Sequence, residues 1–109
     1  MIHLQHIGKS ADDLRFFITL DGQHAGGITV HSVAGDRFSY GIVVVREFRG
    51  RGIAKEALTQ LFALMKARGF ARAVADVAPD NAASLALHRA LGFQKVLQDK
   101  KAVTLIKIL

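Results

Sequence analysis

Apolar and polar positions along the chain follow two different periods, and the change falls near Gly52. Leu14 to Leu20 is a short apolar run rich in β-formers, Asp21-Gly22 is a turn signal, and Ala25 to Ser32 reads as the returning strand. Gly35-Asp36 punctuates the chain again before Phe38 to Arg46, whose Val43-Val44-Val45 run predicts a strand buried on both faces. Ile2 to Ile7 fits one further strand. From Gly52 onward, Ile53, Ala57, Leu58, Leu61, Phe62 and Met65 recur at helical spacing, with Lys55, Glu56, Gln60 and Lys66 on the other side. Gly69 stops this helix just after Lys66 and Arg68, cations that suit the negative end of a helix dipole. Ala71 to Val77 is a short apolar strand. Pro79-Asp80-Asn81 opens a second helix to about Leu91, capped by Asp80 or Asn81 and ended by Gly92. Phe93 to Leu97 and Ala102 to Leu109 are the last strands, joined as a hairpin by Gln98 to Lys101.

This order predicts an α/β (α+β) fold: a mixed, mostly antiparallel twisted sheet of about six to seven strands with two main helices. The strand–helix–strand step over residues 42–77 needs a crossover, hence one parallel pair. The 109 residues show no repeat, linker or low-complexity stretch, and read as a single domain over 1–109.

Composition narrows the function. With 50% apolar and 22% charged residues the chain can build a core, which excludes a disordered tail. It has no cysteine, so a disulfide framework, a thiolate zinc site and a catalytic thiol are excluded. No apolar stretch is long enough for a membrane span, and Met1 to Asp13 lacks the apolar core of a leader, so a mature, cytoplasmic protein is expected. Fifteen Lys and Arg against nine Asp and Glu give a net charge of +6, which favours an anionic partner. The seven phenylalanines and one tyrosine fall mostly within apolar patterns and leave no clear base-stacking platform, which disfavours nucleic acid. His3 and His6, with His24 and His31, match no dedicated metal spacing, and no metal is expected.

The informative segment is Arg49-Gly50-Arg51-Gly52-Ile53-Ala54, between the Val43–Val45 strand and the first helix. The first N–H groups of a helix lack intrahelical partners and carry the positive end of its dipole, so an anion is stabilised there. Gly50 and Gly52 let backbone approach a diphosphate and adopt positive φ, and the arginines add charge-assisted contacts. A P-loop is excluded because no Lys-Ser/Thr pair follows a glycine. A dinucleotide fingerprint fails because Lys55 stands at its third position. The plainer reading is a two-glycine turn with solvated arginines.

A second segment, Asn81 to Phe93, follows after a helix and a strand. Together the two segments resemble the GNAT superfamily of acyl-CoA-dependent N-acetyltransferases. Its Q/R-x-x-G-x-G/A motif is matched by Arg49, Gly52 and Ala54, and its N-x-x-A/S-x-x-x-Y motif followed by G-F by Asn81, Ser84, His88 and Gly92-Phe93. The resemblance covers about residues 40–97. It implies that the backbone of Val43, Val44 and Val45 pairs with the pantetheine arm of acetyl-CoA. It also implies that the amides of Arg49 to Ala54 cradle the pyrophosphate, and that Asn81 faces the pantetheine or acetyl end. A splay between the Val43 strand and the Ala71–Val77 strand is then expected to admit the thioester.

The implied reaction is attack of a primary amine on that thioester in a ternary complex, and it needs a proton removed from the amine. The chain departs from the family where a tyrosine acid usually stands, since this position is His88. His88 either donates an N–H to the leaving sulfur or packs under Gly92-Phe93 and only orients its helix. Asp76 matches a position where some relatives place a carboxylate base; a strand-edge carboxylate paired with an arginine, and a water chain as base, remain alternatives. Only seven residues, Gly8 to Leu14, separate the first two strands, too few for the helix pair with which relatives shape the acceptor pocket. An acceptor side that is open, or completed by a second copy, is expected, and it suits a protein or peptide amine more than a small metabolite. The rival function is a non-enzymatic acyl-CoA-binding module, separated from the enzyme by thiol release with an amine panel. A basic RNA- or DNA-binding domain is a third reading, which predicts salt-sensitive binding that coenzyme A does not compete.

Overall fold

Seven strands and two helices follow one another as β1 (Ile2–His6), β2 (Arg15–Leu20), β3 (Gln23–Ala34), β4 (Arg37–Val44), α1 (Ile53–Ala67), β5 (Arg72–Val77), α2 (Ala82–Ala90), β6 (Gln94–Gln98) and β7 (Val103–Ile108). A 3-10 turn, Arg46–Phe48, lies between β4 and α1. This computed structural model describes residues 1–109 and every side chain but that of Ser32. The strands form one sheet in the order β1-β2-β3-β4-β5-β7-β6. Only β4 and β5 pair in parallel, because α1 carries the chain back across the sheet between them.

Local chemistry sets the punctuation. Asp21 and Gly22 both adopt positive φ, 51° and 84°, the conformation of the tight turn that matches strand twist between β2 and β3. Each helix ends on a left-handed glycine. After α1, Gly69 N–H donates to Lys66 O and Phe70 N–H to Met65 O; after α2, Gly92 N–H donates to Arg89 O and Phe93 N–H to His88 O. The second closure brings the Phe93 ring edge-on to the His88 ring, 5.0 Å between centroids.

One face of the sheet holds the core. Ile53, Ala57, Leu58, Leu61, Phe62 and Met65 of α1 are buried against Ile18, Ile28, Phe38, Ala73, Ala75 and Leu105. No helix lies on the opposite face, where Phe17, Val43 and Asp76 are exposed. Two expectations change here. The strand expected over Phe38 to Arg46 stops at Val44, because Arg46 enters the 3-10 turn. The Val43–Val45 run is not buried on both faces, since Val43 is 65% exposed on the bare side. The residues between β1 and β2 form no helix, so nothing from that connection covers this face. No helix is long and apolar enough to cross a membrane.

Candidate functional site

The loop after β4 is shaped by its own arginines and glycines. Val45 N–H donates to Ala25 O at 2.7 Å and ties the exit of β4 to β3. Arg49 Nε donates to the Val44 carbonyl at 3.1 Å, closing the loop on the strand end. The Arg51 guanidinium stacks over the Phe48 ring at 5.3 Å. Gly50 and Gly52 hold φ of 78° and 74°, and a Cβ added to either would meet no protein atom within 4 Å. Gly52 is the N-cap of α1, and the first helical bond runs from Glu56 N–H to Gly52 O at 3.2 Å. The amides of Ile53, Ala54 and Lys55 therefore precede the first helical hydrogen bond and open outward. Two left-handed glycines before a helix N-terminus, with arginine on both sides of Gly50, make a cradle that fits a diphosphate.

A cavity of about 640 Å³ extends from this loop between the end of β4 and the start of α2. Ile42, Val43 and Val44 line one side and Asn81, Ser84 and Leu87 the other, so both sequence segments meet at one place. Asn81 also caps α2, its side chain accepting from Ser84 N–H at 3.1 Å. Another groove, of about 380 Å³, runs along α1 toward the end of β7 and shares only Lys55 with this cavity. Its lining includes none of the motif glycines, so size and chemistry both favour the larger one.

Beside the cavity the sheet splits. β4 and β5 are paired at Arg37–Arg72, Phe38–Ala73 and Ser39–Val74, and the pairing stops there although β4 continues to Val44 and β5 to Val77. From Tyr40 onward, β4 has no strand on its β5 side. This is the splay expected between the two strands. Its free edge can take an extended ligand in the way a sheet edge takes an added strand.

His88 stands behind the cavity wall. It is buried, with Nδ1 2.7 Å from Ser84 O and 3.3 Å from Ser84 Oγ, and Nε2 2.9 Å from Tyr40 Oη. A carbonyl can only accept, so Nδ1 carries the proton and Nε2 accepts from the Tyr40 hydroxyl. Burial pushes the Tyr40 hydroxyl pKa up and keeps it a donor. In this arrangement both ring nitrogens of His88 have protein partners, and His88 is not among the residues that line the cavity. It joins α2 to β4 at the first residue past the last β4–β5 pair. Tyr40→Phe leaves Nε2 buried without a donor and is expected to cost about 1–3 kcal/mol, read as a lower thermal midpoint. Replacing both partners with apolar groups is expected to cost less than the two single changes added together.

Asp76 lies on the bare face of β5, exposed, and accepts from Thr104 Oγ1 of β7 at 2.6 Å. It has a threonine partner, not the arginine of the strand-edge alternative. Among the described residues, no three His, Cys, Asp or Glu side chains gather as a metal site requires. Sequence reasoning missed Tyr40 as the partner of His88. The two are 48 positions apart, and no local spacing links them.

Comparison with known proteins agrees with this geometry. The model of the acetyltransferase (GNAT) family matches residues 2–93. No protein with a curated description matches the sequence. Among solved structures, the PaiA N-acetyltransferase of Thermoplasma acidophilum, in complex with coenzyme A, superposes with a TM-score of 0.80 at 19% identity, over 90% of this chain and 62% of that one. The ribosomal-protein-alanine N-acetyltransferase of Brucella melitensis gives 0.76 at 24% identity, over 87% and 68%. A domain from Methanocaldococcus jannaschii gives 0.79 at 19% identity, over 93% and 70%. At these identities the likeness is one of fold. The family match over most of the chain goes further, and with the glycine cradle and the split sheet beside it, this chain belongs to the GNAT acetyltransferase family.

Proposed function

We propose that the protein transfers the acetyl group of acetyl-CoA to a primary amine by direct attack within a ternary complex. The observation that carries this reading is the splay: the sheet parts right beside a cavity that ends on an anion cradle. The amides of Gly50, Arg51, Gly52, Ile53 and Ala54 hold the pyrophosphate, helped by the charge of Arg49 and Arg51. The free edge at the end of β4, at Val43 and Val44 with Val45 just beyond it, takes the pantetheine arm, with Asn81 across from it. The thioester then sits between β4 and β5, where the amine reaches its carbonyl carbon from the bare face. Positioning supplies much of the rate, because a thiolate is already a tolerable leaving group.

His88 serves as a positioning residue. By holding Tyr40 it fixes α2 against β4 and sets the width of the cavity. Asp76 supplies negative charge on the acceptor side and draws an ammonium group toward the splay. The bare face suits an amine on an extended peptide or a protein surface. The ribosomal-protein-alanine acetyltransferase of Brucella melitensis is one structural neighbour with a protein acceptor.

Calorimetry with acetyl-CoA, followed by thiol release with a panel of peptide and small amines, tests the reading. Saturable binding and amine-dependent release are expected. Binding without release for any amine leaves an acyl-CoA-binding module and overturns the enzyme; absence of binding by a folded sample overturns both.

A further inference from the structure

The bare face of the sheet carries a bulge beside the splay. Between β3 and β4, Val30 stands opposite Tyr40 and Ser32 opposite Ser39, which leaves His31 as the extra residue. A bulge re-aims the side chain of its extra residue. Here the imidazole lies over Gly41, with Cδ2 and Nε2 3.9 Å from where a Cβ on Gly41 would stand. Gly41 is two residues past Ser39, the last β4 residue paired with β5, and Asp76 is two residues past its partner Val74. Residues two apart in a strand share a face. Gly41 and Asp76 therefore stand on opposite lips of the splay, on the face away from α1 and α2. An imidazole and a carboxylate flank the opening where an acceptor must enter.

Resting on the acetyl-transfer reading, we propose that His31 is the general base for the amine that enters between these lips. The neutral imidazole takes one proton from the incoming ammonium. The freed lone pair forms the C–N bond to the thioester carbonyl carbon, and the C–S bond breaks with its electron pair going to sulfur. The new amide nitrogen loses its second proton as the thiolate gains one, giving the N-acetyl product and free coenzyme A. The imidazolium then returns its proton to water. The charged and titratable groups sharing this face are His3 on β1, Arg15 with Asp13 beside β2, His24 on β3, Arg37 on β4, and Arg72 and Asp76 on β5. Asp76 provides the negative charge that holds the ammonium before it is deprotonated.

The test measures thiol release from acetyl-CoA with a peptide carrying a free α-amino group, between pH 6 and 10. His31→Gln is expected to lower kcat/KM for the peptide at pH 7 by at least about tenfold, within reach of the usual contribution of general base catalysis. Acetyl-CoA affinity stays unchanged, because His31 is not among the residues that line the cavity at the glycine cradle. The deficit closes above about pH 8, where an α-amine sheds its proton without help. A deficit that is absent, or that stays constant with pH, overturns the role of His31. The same pH-dependent deficit in Asp76→Asn but not in His31→Gln gives the proton to Asp76 and also overturns it. No release by the wild-type protein with any amine, with acetyl-CoA binding intact, brings down the transfer reading itself.

Discussion

Gly52→Val is expected to weaken acetyl-CoA binding by at least about a hundredfold while the protein stays folded. Gly52 holds φ 74° and ψ 13° at the N-cap of α1, a left-handed conformation that a β-branched residue adopts only under strain. To relieve that strain the loop must turn, and the amides of Ile53 and Ala54 turn with it. A hydrogen bond to a charged group contributes about 1.5–3 kcal/mol, so losing two removes about 3–6 kcal/mol. A hundredfold loss corresponds to about 2.8 kcal/mol, below that range. Gly52 is exposed and outside the core, so stability should fall only by the backbone strain, about 1–2 kcal/mol. Calorimetry on the folded variant gives the answer; wild-type affinity would show that the cradle does not bind the diphosphate. Arg51→Ala is the milder control, since an exposed charge contributes less than the shape of the backbone.

Phe38→Ala is expected to destabilise the fold by about 3–5 kcal/mol, the usual cost of removing a buried aromatic ring. Phe38 is 1% exposed and sits 5.6 Å from Phe70, 6.2 Å from Tyr40 and 6.4 Å from Phe62, centroid to centroid. It joins β4 to the later half of α1 and to the turn that follows it, and its backbone pairs with Ala73 one position before the last β4–β5 pair. A domain of this size holds about 5–15 kcal/mol in total, so the loss is a large share. The thermal midpoint should drop by more than about 12 °C. Phe38→Leu, which keeps most of the volume, should lose markedly less; equal losses would mean that the ring is not packed as described.

Local pattern fixed most of the elements. The helical spacing from Ile53 to Met65 appears unchanged as the buried stripe of α1, and the left-handed glycines at 22, 69 and 92 end the elements that they were expected to end. These features are local because a glycine's freedom or a helix period depends on residues within a few positions. The glycine cradle was legible for the same reason. The exit of β4 is not set locally, because an apolar run alone does not tell how many of its faces are covered. The burial of Val43 depends on what lies over the sheet, and here no helix does.

The sequence by itself determined the elements, their order, the single parallel crossover and the positive, glycine-hinged loop before α1. Each follows from short-range sterics, hydrophobic period or charge. Only the tertiary structure decided that β4 and β5 part after Ser39 and Val74, that His88 spends both its nitrogens on Ser84 and Tyr40, and that a bulge turns His31 over Gly41. Those outcomes depend on pairing and packing between residues far apart in the chain, where the choice of partner is set by strand register and burial and by no spacing along the sequence.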